Sequence, residues 1–393
     1  MERVLRLGAV GLGRAFTLML PTFVTDPRIA LVAAADPRAE ARTQFEREFG
    51  GRSYASVEAL CDDEDVDVVY IATPHQFHAE HATIAARRGK HALVEKPMAL
   101  TLAECAAMID AADRAGVRLV VGHSHSFDAP VRRAREIVER ATYGDVRMIA
   151  ALQYTDFLYR PRRPEELVTA QGGGVVFSQA AHQVDIARLL GGGRLTRVRA
   201  QTGAWDRTRA TEGSYAALLE FADGAFASLV YSGFAHFDSD ALVDWIGELG
   251  QAKDPSHYGR ARRALAGGTT PTEEVARKNE RAYGGERKHD APAVAHNHFG
   301  LVIASCDGAD LRPVPNGVMI DDDERSFLDP IAAPTVPRIE VIDELYAAVV
   351  HDVPPLHDGA WAMATLEACL AILESARSGD AVQLRHQVGV HRR

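Results

Sequence analysis

Three short stretches of this 393-residue chain gather side chains that could do chemistry. HALVEKPMAL (91–100) opens with the apolar run Ala92-Leu93-Val94 and closes on Glu95, Lys96 and Pro97. A run suited to a buried strand thus delivers a carboxylate and an ammonium side by side. Pro97 restricts the backbone of Lys96 to extended conformations and so fixes the direction of its amine. GAVGLGR (8–14) sets Gly11, Leu12 and Gly13 between a strand and a helix that starts near Arg14. There Gly11 can make the tight turn, and Gly13 lets the backbone approach a pyrophosphate at the helix N-terminus. YRPRRP (159–164) packs Arg160, Arg162 and Arg163 into a proline-stiffened segment. Guanidinium forks bind carboxylates in a bidentate way, so a doubly carboxylated ring is one partner that such a cluster suits. A basic loop pairing with Glu165 and Glu166 is the plainer alternative, each exposed pair being worth little.

Asp36 ends the run IALVAAAD (29–36), where an acidic side chain can hold both hydroxyls of an adenosine ribose and repel a 2′-phosphate. That favours NAD. Arg38, two residues on, keeps NADP possible, and Asp36 could also simply cap the next helix. The third glycine of a GxGxxG pattern is missing: Phe16 stands there, with Gly8 and Ala15 as small neighbours.

These groups need a frame, and the first third of the chain supplies one. VLRLGAV (4–10), IALVAAAD (29–36), DVDVVYIATP (65–74), HALVEKP and RLVVGHS (118–124) are apolar runs separated by amphipathic helical stretches. Runs without period-2 alternation, spaced by helices, indicate parallel strands covered on both faces: an α/β, doubly wound Rossmann sheet. Its ligands bind outside the carboxyl ends of the strands, which is where Lys96 falls. A boundary is expected near residue 125, giving a dinucleotide-binding domain over 1–125 and a substrate and oligomerisation domain over 126–393. In the second domain 146–157, 197–205, 214–221 and 225–234 read as strands, with Asp223-Gly224 as a hairpin turn. Residues 251–300 shift toward Arg, Lys, Glu and Gly with two short helical patterns, and read as an inserted lid or oligomer contact. Asp321-Asp322-Asp323-Glu324 reads as a solvated loop.

Composition excludes several classes. Hydrophobic residues make up 47% and charged residues 25%, with a net charge of −10 and no Lys/Arg stripe. Nucleic acid and anionic membranes are therefore not expected partners. Cys61, Cys105, Cys306 and Cys369 are scattered without a CxxC pair, which fits a reducing cytoplasm. The N-terminal run is broken by Arg6, Arg14 and glycines and does not read as a signal peptide, and no apolar stretch is long enough to span a bilayer. His123/His125 and His296/His298 each offer two imidazoles without an obvious third ligand, so no metal is expected.

Taken together, GAVGLG, Asp36, IATPHQFHAEHA (71–82), VEKP (94–97), VGHSHSFDAP (121–130), GGGVVFSQAAHQVDIARLLGGG (172–193) and PPLHDGAWAMATLEACLAILESA (354–376) resemble the Gfo/Idh/MocA oxidoreductases, the family of glucose–fructose oxidoreductase and inositol dehydrogenase. The resemblance implies an N-terminal Rossmann domain and a C-terminal α/β domain with a large, open, mostly antiparallel sheet that often serves as an oligomer interface, so a homodimer or homotetramer is expected. It implies that Lys96 lies beside nicotinamide and substrate, with Glu95 next to it. It also implies that Thr73, Pro74, His75 and His78 run along the cofactor. The family's Asp-x-x-x-His pair is matched by His182, while the aspartate position is Ser178. Spacing of four puts both on one helical face, with Asp185 a turn beyond. Losing that aspartate removes an anionic partner for the imidazole, and Ser178 keeps only a hydroxyl. Within the family, YRPRRPEEL and GGGVVFSQ-x-AHQVDI are most similar to the bacterial phthalate 4,5-cis-dihydrodiol dehydrogenases.

The expected reaction is hydride transfer from a substrate carbinol carbon to NAD, with His182 as general base and Lys96 orienting the oxygen and stabilising its charge. The expected substrate is phthalate 4,5-cis-dihydrodiol and the product its catechol, a step of aromatic catabolism. Alternatives are a polyol or sugar dehydrogenase on the same scaffold, an NAD-dependent glycosidase, and a non-catalytic NAD-binding regulator.

Overall fold

The computed structural model describes residues 3–257, 259–286 and 292–390. Two compact units are assembled from interleaved stretches: Met1–His123, Val275–His289 and Thr335–Met363 in the first, Ser124–Glu274, Asp290–Pro334 and Ala364–Arg393 in the second.

In the first unit each apolar run becomes a strand. The order is β1 (Leu5–Val10), α1 (Arg14–Thr25), β2 (Ile29–Ala35), α2 (Ala39–Phe49), β3 (Arg52–Tyr54), α3 (Val57–Cys61), β4 (Val68–Ile71), α4 (His78–Arg87), β5 (His91–Val94), α5 (Leu102–Ala115) and β6 (Leu119–Val121). The sheet order is β3-β2-β1-β4-β5-β6, and every pairing is parallel. Leu7, Val68, Val69, Leu93 and Val94 are wholly buried, as strands covered on both faces require. Helix ends follow local chemistry: α5 starts on a Thr101–Glu104 capping box, and α2 and α5 stop at left-handed Gly50 and Gly116. β3 and α3 are additions to the sequence reading. A three-residue, half-exposed edge strand is too short to show a period.

Two distant stretches complete this unit. The helix Ile339–Val350 is tied on by an Arg28–Asp343 ion pair (2.7 Å) and by the Tyr346 hydroxyl donating to the Arg3 carbonyl (2.9 Å). The Tyr283 segment, from within the expected 251–300 insertion, packs its ring edge-on to Phe16 (5.4 Å) and donates its amide to the Leu12 carbonyl (3.2 Å). Phe16 thus has an occupation where a third glycine was missing. Of that insertion, positions 258 and 287–291 lie outside the described residues. The rest holds two short helices, Arg260–Leu265 and Pro271–Asn279.

The second unit is a nine-stranded sheet with helices on one face. Its elements include α6 (Ala129–Glu139), β7 (Val146–Tyr154), α7 (Ala181–Leu190), β8 (Leu195–Gly203), β9 (Ser214–Phe221), β10 (Phe226–Ser232), β11 (Leu301–Cys306), β12 (Ala309–Val314), β13 (Gly317–Asp322), β14 (Ser326–Pro330) and β15 (Val382–Gln383). The order is β14-β13-β12-β11-β7-β10-β9-β8-β15, antiparallel except for β7 with β10. Strict alternation sets the faces: Tyr215, Ala217, Leu219, Ala227, Leu229 and Tyr231 are buried, and the Tyr215 hydroxyl donates to Gln183 of α7 (2.7 Å). Met148, Leu218 and Phe226, on the opposite face, are 37%, 41% and 40% exposed. The expected hairpin forms at Asp223-Gly224, with Gly224 at φ +93°. One expectation is corrected: Asp321 and Asp322 belong to β13, and only Asp323 and Glu324 turn. Arg312 pairs with Asp321 (3.1 Å), and Asp322 accepts from the Glu324 and Arg325 amides, which lets a strand carry these charges.

Candidate active site

In the first unit the ligand end of the sheet is built from turns. Gly11 sits at φ +87°, and a Cβ there would lie 2.9 Å from the Ala72 carbonyl oxygen, so only glycine fits. A Cβ on Gly13 would meet nothing within 4 Å. The first turn of α1 carries no acidic side chain, and Gly13 makes no side-chain cap. A turn of this kind ahead of a helix N-terminus can hold a pyrophosphate. Arg14, half-buried, opens the helix.

Asp36 is buried and fully engaged. Its carboxylate accepts the Leu12 amide (2.8 Å), the Arg38 amide (2.9 Å) and the Arg38 guanidinium through Nε (2.9 Å) and Nη2 (3.1 Å). Arg38 also donates to the Leu12 carbonyl (2.8 Å) and the Tyr283 carbonyl (3.4 Å). The two residues read from sequence as competing signals, one for ribose hydroxyls and one for a phosphate, are therefore one closed pair around the glycine turn.

The second and third turns are clamped by one side chain. His78 is fully buried, its ring nitrogens lying 2.9 Å from the Pro97 carbonyl oxygen and 2.8 Å from that of Thr73. Burial pushes this imidazole below its ordinary value, against the pull of the two carbonyls. His78 thus links the Thr73-Pro74 turn to the Lys96-Pro97 turn, while Thr73 and His75 are half-buried. Glu95 also turns inward: its carboxylate accepts the Tyr70 hydroxyl (2.6 Å), and burial pushes it above the usual carboxylate range. Of the pair that ends β5, Lys96 is the half-buried one, and its peptide bond to Pro97 is cis.

In the second unit the candidate groups hang on side-chain contacts. Gly174, at φ +82°, leaves no space for a Cβ beside the Glu212 carboxylate. Glu212 in turn accepts the Val176 amide (3.1 Å) at the start of a π-helical turn, Val176–Ala180, that runs into α7. Ser178 lies in that turn and His182 in the first turn of α7. His182 is buried against Phe299 (ring centroids 4.7 Å) and His125 (4.6 Å), and its Nδ1 accepts the His125 amide in a long bond (3.4 Å). Asp185 accepts from Ser126 and from Thr365 (2.7 Å), which fastens the helix to the turn carrying His125.

The sequence reading weighed His125 only as a metal ligand, paired with His123, and gave it no other role. Its Nδ1 lies 2.6 Å from Asp128 Oδ2, with both side chains buried, and its Nε2 lies 3.6 Å from Glu248. Burial alone would lower this imidazole; Asp128 and then Glu248 outweigh it and hold His125 above its ordinary value. The available signal was the His-x-x-Asp spacing in VGHSHSFDAP, which can close only in a tight turn. His296 and His298, the other imidazole pair, send ring nitrogens to the Ala332 and Ile246 carbonyls (2.8 Å each). Among the described residues no cluster could hold a metal ion.

The three arginines take different roles. Arg162 stacks on the Phe157 ring (3.6 Å to the centroid) and donates to the Phe157 carbonyl (2.6 Å), with Glu166 at 3.7 Å. Its side chain is only 10% exposed, yet its Nε has no hydrogen-bond partner among the described residues. Arg160 lies farther from the Phe157 ring (5.7 Å) and faces Asp156 (3.4 Å) and Glu248 (4.0 Å). Arg163 is half-buried, its amide tied to Glu166 (2.7 Å).

A doubly wound parallel sheet with a glycine cradle at its switch point, joined in one chain to a large antiparallel sheet, defines a nucleotide-dependent oxidoreductase. The comparisons agree. The description "Oxidoreductase family, NAD-binding Rossmann fold" of the Gfo/Idh/MocA proteins matches residues 5–123, and the Gfo/Idh/MocA C-terminal domain matches residues 131–253. The chain is 48% identical over 377 residues, 95% of each protein, to the 1-carboxy-3-chloro-3,4-dihydroxycyclohexa-1,5-diene dehydrogenase of Comamonas testosteroni. It is 25% identical over 63% of its length, and 74% of the relative's, to a myo-inositol 2-dehydrogenase of Thermotoga maritima. A crystal structure from Bordetella bronchiseptica RB50 superposes with a TM-score of 0.91 at 43% identity, covering 97% of this chain and 100% of that one. The chain belongs to the Gfo/Idh/MocA family of NAD(P)-dependent dehydrogenases.

Proposed function

We propose that this dehydrogenase oxidises a ring cis-dihydrodiol bearing a carboxylate, of the phthalate 4,5-cis-dihydrodiol type, to the corresponding catechol. The observation that carries this reading is the Arg162 Nε donor, buried beside the Phe157 ring without an acceptor among the described residues. Leaving such a group unmade costs about 1–3 kcal/mol, and a carboxylate on a flat ring would satisfy it. The likeness to a carboxylated dihydroxycyclohexadiene dehydrogenase over almost the whole chain supports the same class.

The dinucleotide, once held by Gly11–Gly13, the α1 N-terminus and Asp36, supplies the hydride acceptor. Lys96 orients the carbinol oxygen and offsets the charge that grows on it, and His182 takes the hydroxyl proton. The ketone then becomes the catechol by moving one ring proton to oxygen, and aromaticity makes the oxidation strongly downhill. NAD is favoured over NADP because Asp36 draws the guanidinium of Arg38 onto itself. The working form is a homo-oligomer joined through the apolar outer face at Met148, Leu218 and Phe226. A reducing cytoplasm suits its four cysteines, none of which is in a disulfide.

The test is a panel of phthalate and benzoate cis-dihydrodiols, inositol and hexoses, each with NAD and with NADP, followed by absorbance of the reduced cofactor. Turnover of carboxylated diols with NAD is expected. Reduction driven by polyols alone would replace this reading with that of a polyol dehydrogenase.

A further inference from the structure

The second unit carries an open cleft of about 580 Å³ at the end of its sheet, within the size range of small-molecule sites. Tyr154 and Ser232, which line it, are the last residues of β7 and β10 and pair in register. Alternation sets them on the face of Met148 and Phe226, opposite Tyr231 and the face that packs on α7. From Met148 to Tyr154 the strand runs about 20 Å, so the cleft lies at the far end from that apolar patch. Every lining residue belongs to this unit, and Arg160, Arg162, His182 and Phe299 are not among them.

The walls are aromatic and the charge is positive. Trp205 is 63% exposed and lies on Phe234 with ring centroids 4.3 Å apart, and Phe237 is 49% exposed. Exposed rings beside a cavity mark a binding surface. Arg262 stacks its guanidinium on Tyr159 (3.9 Å to the centroid) and donates through Nη2 to the Phe234 carbonyl. Its Nε is buried without an acceptor among the described residues. Arg207, exposed, adds a second guanidinium. Asp206, the carboxylate of the lining, accepts the Tyr159 hydroxyl (2.8 Å), the Thr208 amide (2.9 Å) and the Thr208 hydroxyl (2.7 Å). Two guanidinium charges thus meet one carboxylate that is already engaged, in a chain whose net charge is −10.

We propose that this cleft binds a small planar aromatic carboxylate, at a site separate from the one that takes the substrate. The rings supply a stacking face, while Arg262 through Nε and Arg207 supply charge-assisted donors. Asp206, held by Tyr159 and Thr208, is kept from competing for them. An aliphatic acid lacks the π-face and a neutral aromatic lacks the charge, so each loses one of the two interactions. The inference does not depend on which diol is oxidised at His182.

The experiment follows tryptophan fluorescence of the full chain on titration with benzoate near pH 7.5, with benzamide and cyclohexanecarboxylate as controls. Trp361 is buried, and Trp205→Phe identifies the signal that belongs to the cleft. Benzoate should give saturable quenching, and each control should bind about tenfold more weakly, the weight of one stacked ring or one charge-assisted bond. Arg262→Met and Arg207→Met should each weaken benzoate by about tenfold, whereas Arg162→Met should leave the quenching as it is. Arg207 is exposed, so its variant keeps the test decisive if Arg262→Met does not fold. Absence of saturable quenching, equal quenching by benzamide, or quenching lost in Arg162→Met and kept in the cleft variants overturns the proposal. So does Trp205 emission that shifts on diluting the protein without benzoate, which gives the cleft to a second copy of the chain. Benzoate bound here with no dihydrodiol oxidised would keep this site and discard the proposed substrate, and turnover without quenching would do the reverse.

Discussion

The two units hold their polar groups in opposite ways. In the first, every charged side chain at the ligand end of the sheet whose partners can be named is tied inward: Asp36 to the Leu12 amide and Arg38, His78 to two carbonyls, Glu95 to Tyr70. In the second, His125 sits on Asp128 at 2.6 Å and faces Glu248 at 3.6 Å, Arg160 faces Asp156 and Glu248 at 3.4 and 4.0 Å, and Arg162 keeps a buried Nε without an acceptor among the described residues. Saturated groups make a rigid frame whose exposed surface is backbone, suited to a ligand of fixed shape such as a dinucleotide. A buried donor without an acceptor, such as Arg162 Nε, suits a substrate that carries its own charge. Substitutions in the first unit should therefore act on cofactor affinity and stability, and those in the second on substrate selectivity and turnover.

The largest effect should fall at Lys96. It lies in the frame unit but leaves the β5 end half-buried while Glu95 turns inward. Lys96→Met should lower kcat by about 10³-fold, within the range of lost proton-handling groups, with NAD affinity by fluorescence titration within a factor of about two. A loss of NAD affinity as large as the loss of rate would make Lys96 part of the frame instead.

Arg162 comes next. Arg162→Met removes the unpartnered Nε and the stacked cation but keeps an apolar body on Phe157. KM for the carboxylated diol should rise about 30-fold, the weight of one charge-assisted bond, with kcat and the KM for NAD little changed. An equal loss with uncharged diols would mean that Arg162 supports the loop and does not read the acid. A smaller change is expected in the frame at Asp36. Asp36→Asn weakens the clamp on Arg38, so NAD affinity should fall about tenfold and NADP affinity should improve as the guanidinium becomes available to a phosphate. Improvement of NAD binding would show that Asp36 serves only the turn.

These regions also differed in legibility. The frame was readable because its signals are local: apolar runs between helices fix a parallel sheet, and Gly11 and Asp36 lie at strand ends. Short elements escaped, since β3 and α3 have too few residues for a period. So did β11–β14, whose polar alternation between Leu301 and Pro330 was passed over apart from one acidic turn. The return of 335–363 and of the Tyr283 segment to the first unit depends on contacts more than two hundred residues apart, such as Tyr346 with Arg3, which composition cannot display. In the second unit, His182 was legible through its motif, whereas the cluster at His125 depends on Glu248, 123 residues away in a loop without any motif. Ser178 was expected at regular helical spacing from His182, and the π-helical turn changes that spacing.

The smallest effect tests whether the frame is as saturated as it looks. Tyr70 on β4 and Glu95, just past the end of β5, are both buried, and the hydroxyl is the group that steadies the carboxylate against burial. Because the folded-state value of Glu95 is raised, its contribution to stability is present below the ordinary carboxylate range and is lost as pH rises through that raised value. Tyr70→Phe removes the donor that favours the ionised form, so Glu95 moves up further and the deficit grows toward neutral pH. The variant should melt about 2–4 °C below the parent near pH 7.5, roughly 1 kcal/mol for a unit of this size. The gap should narrow near pH 5, with NAD affinity unchanged throughout. A gap that stays constant with pH would mean that Tyr70 contributes packing alone and that Glu95 finds its counter-charge elsewhere, leaving the frame less closed than the distances imply.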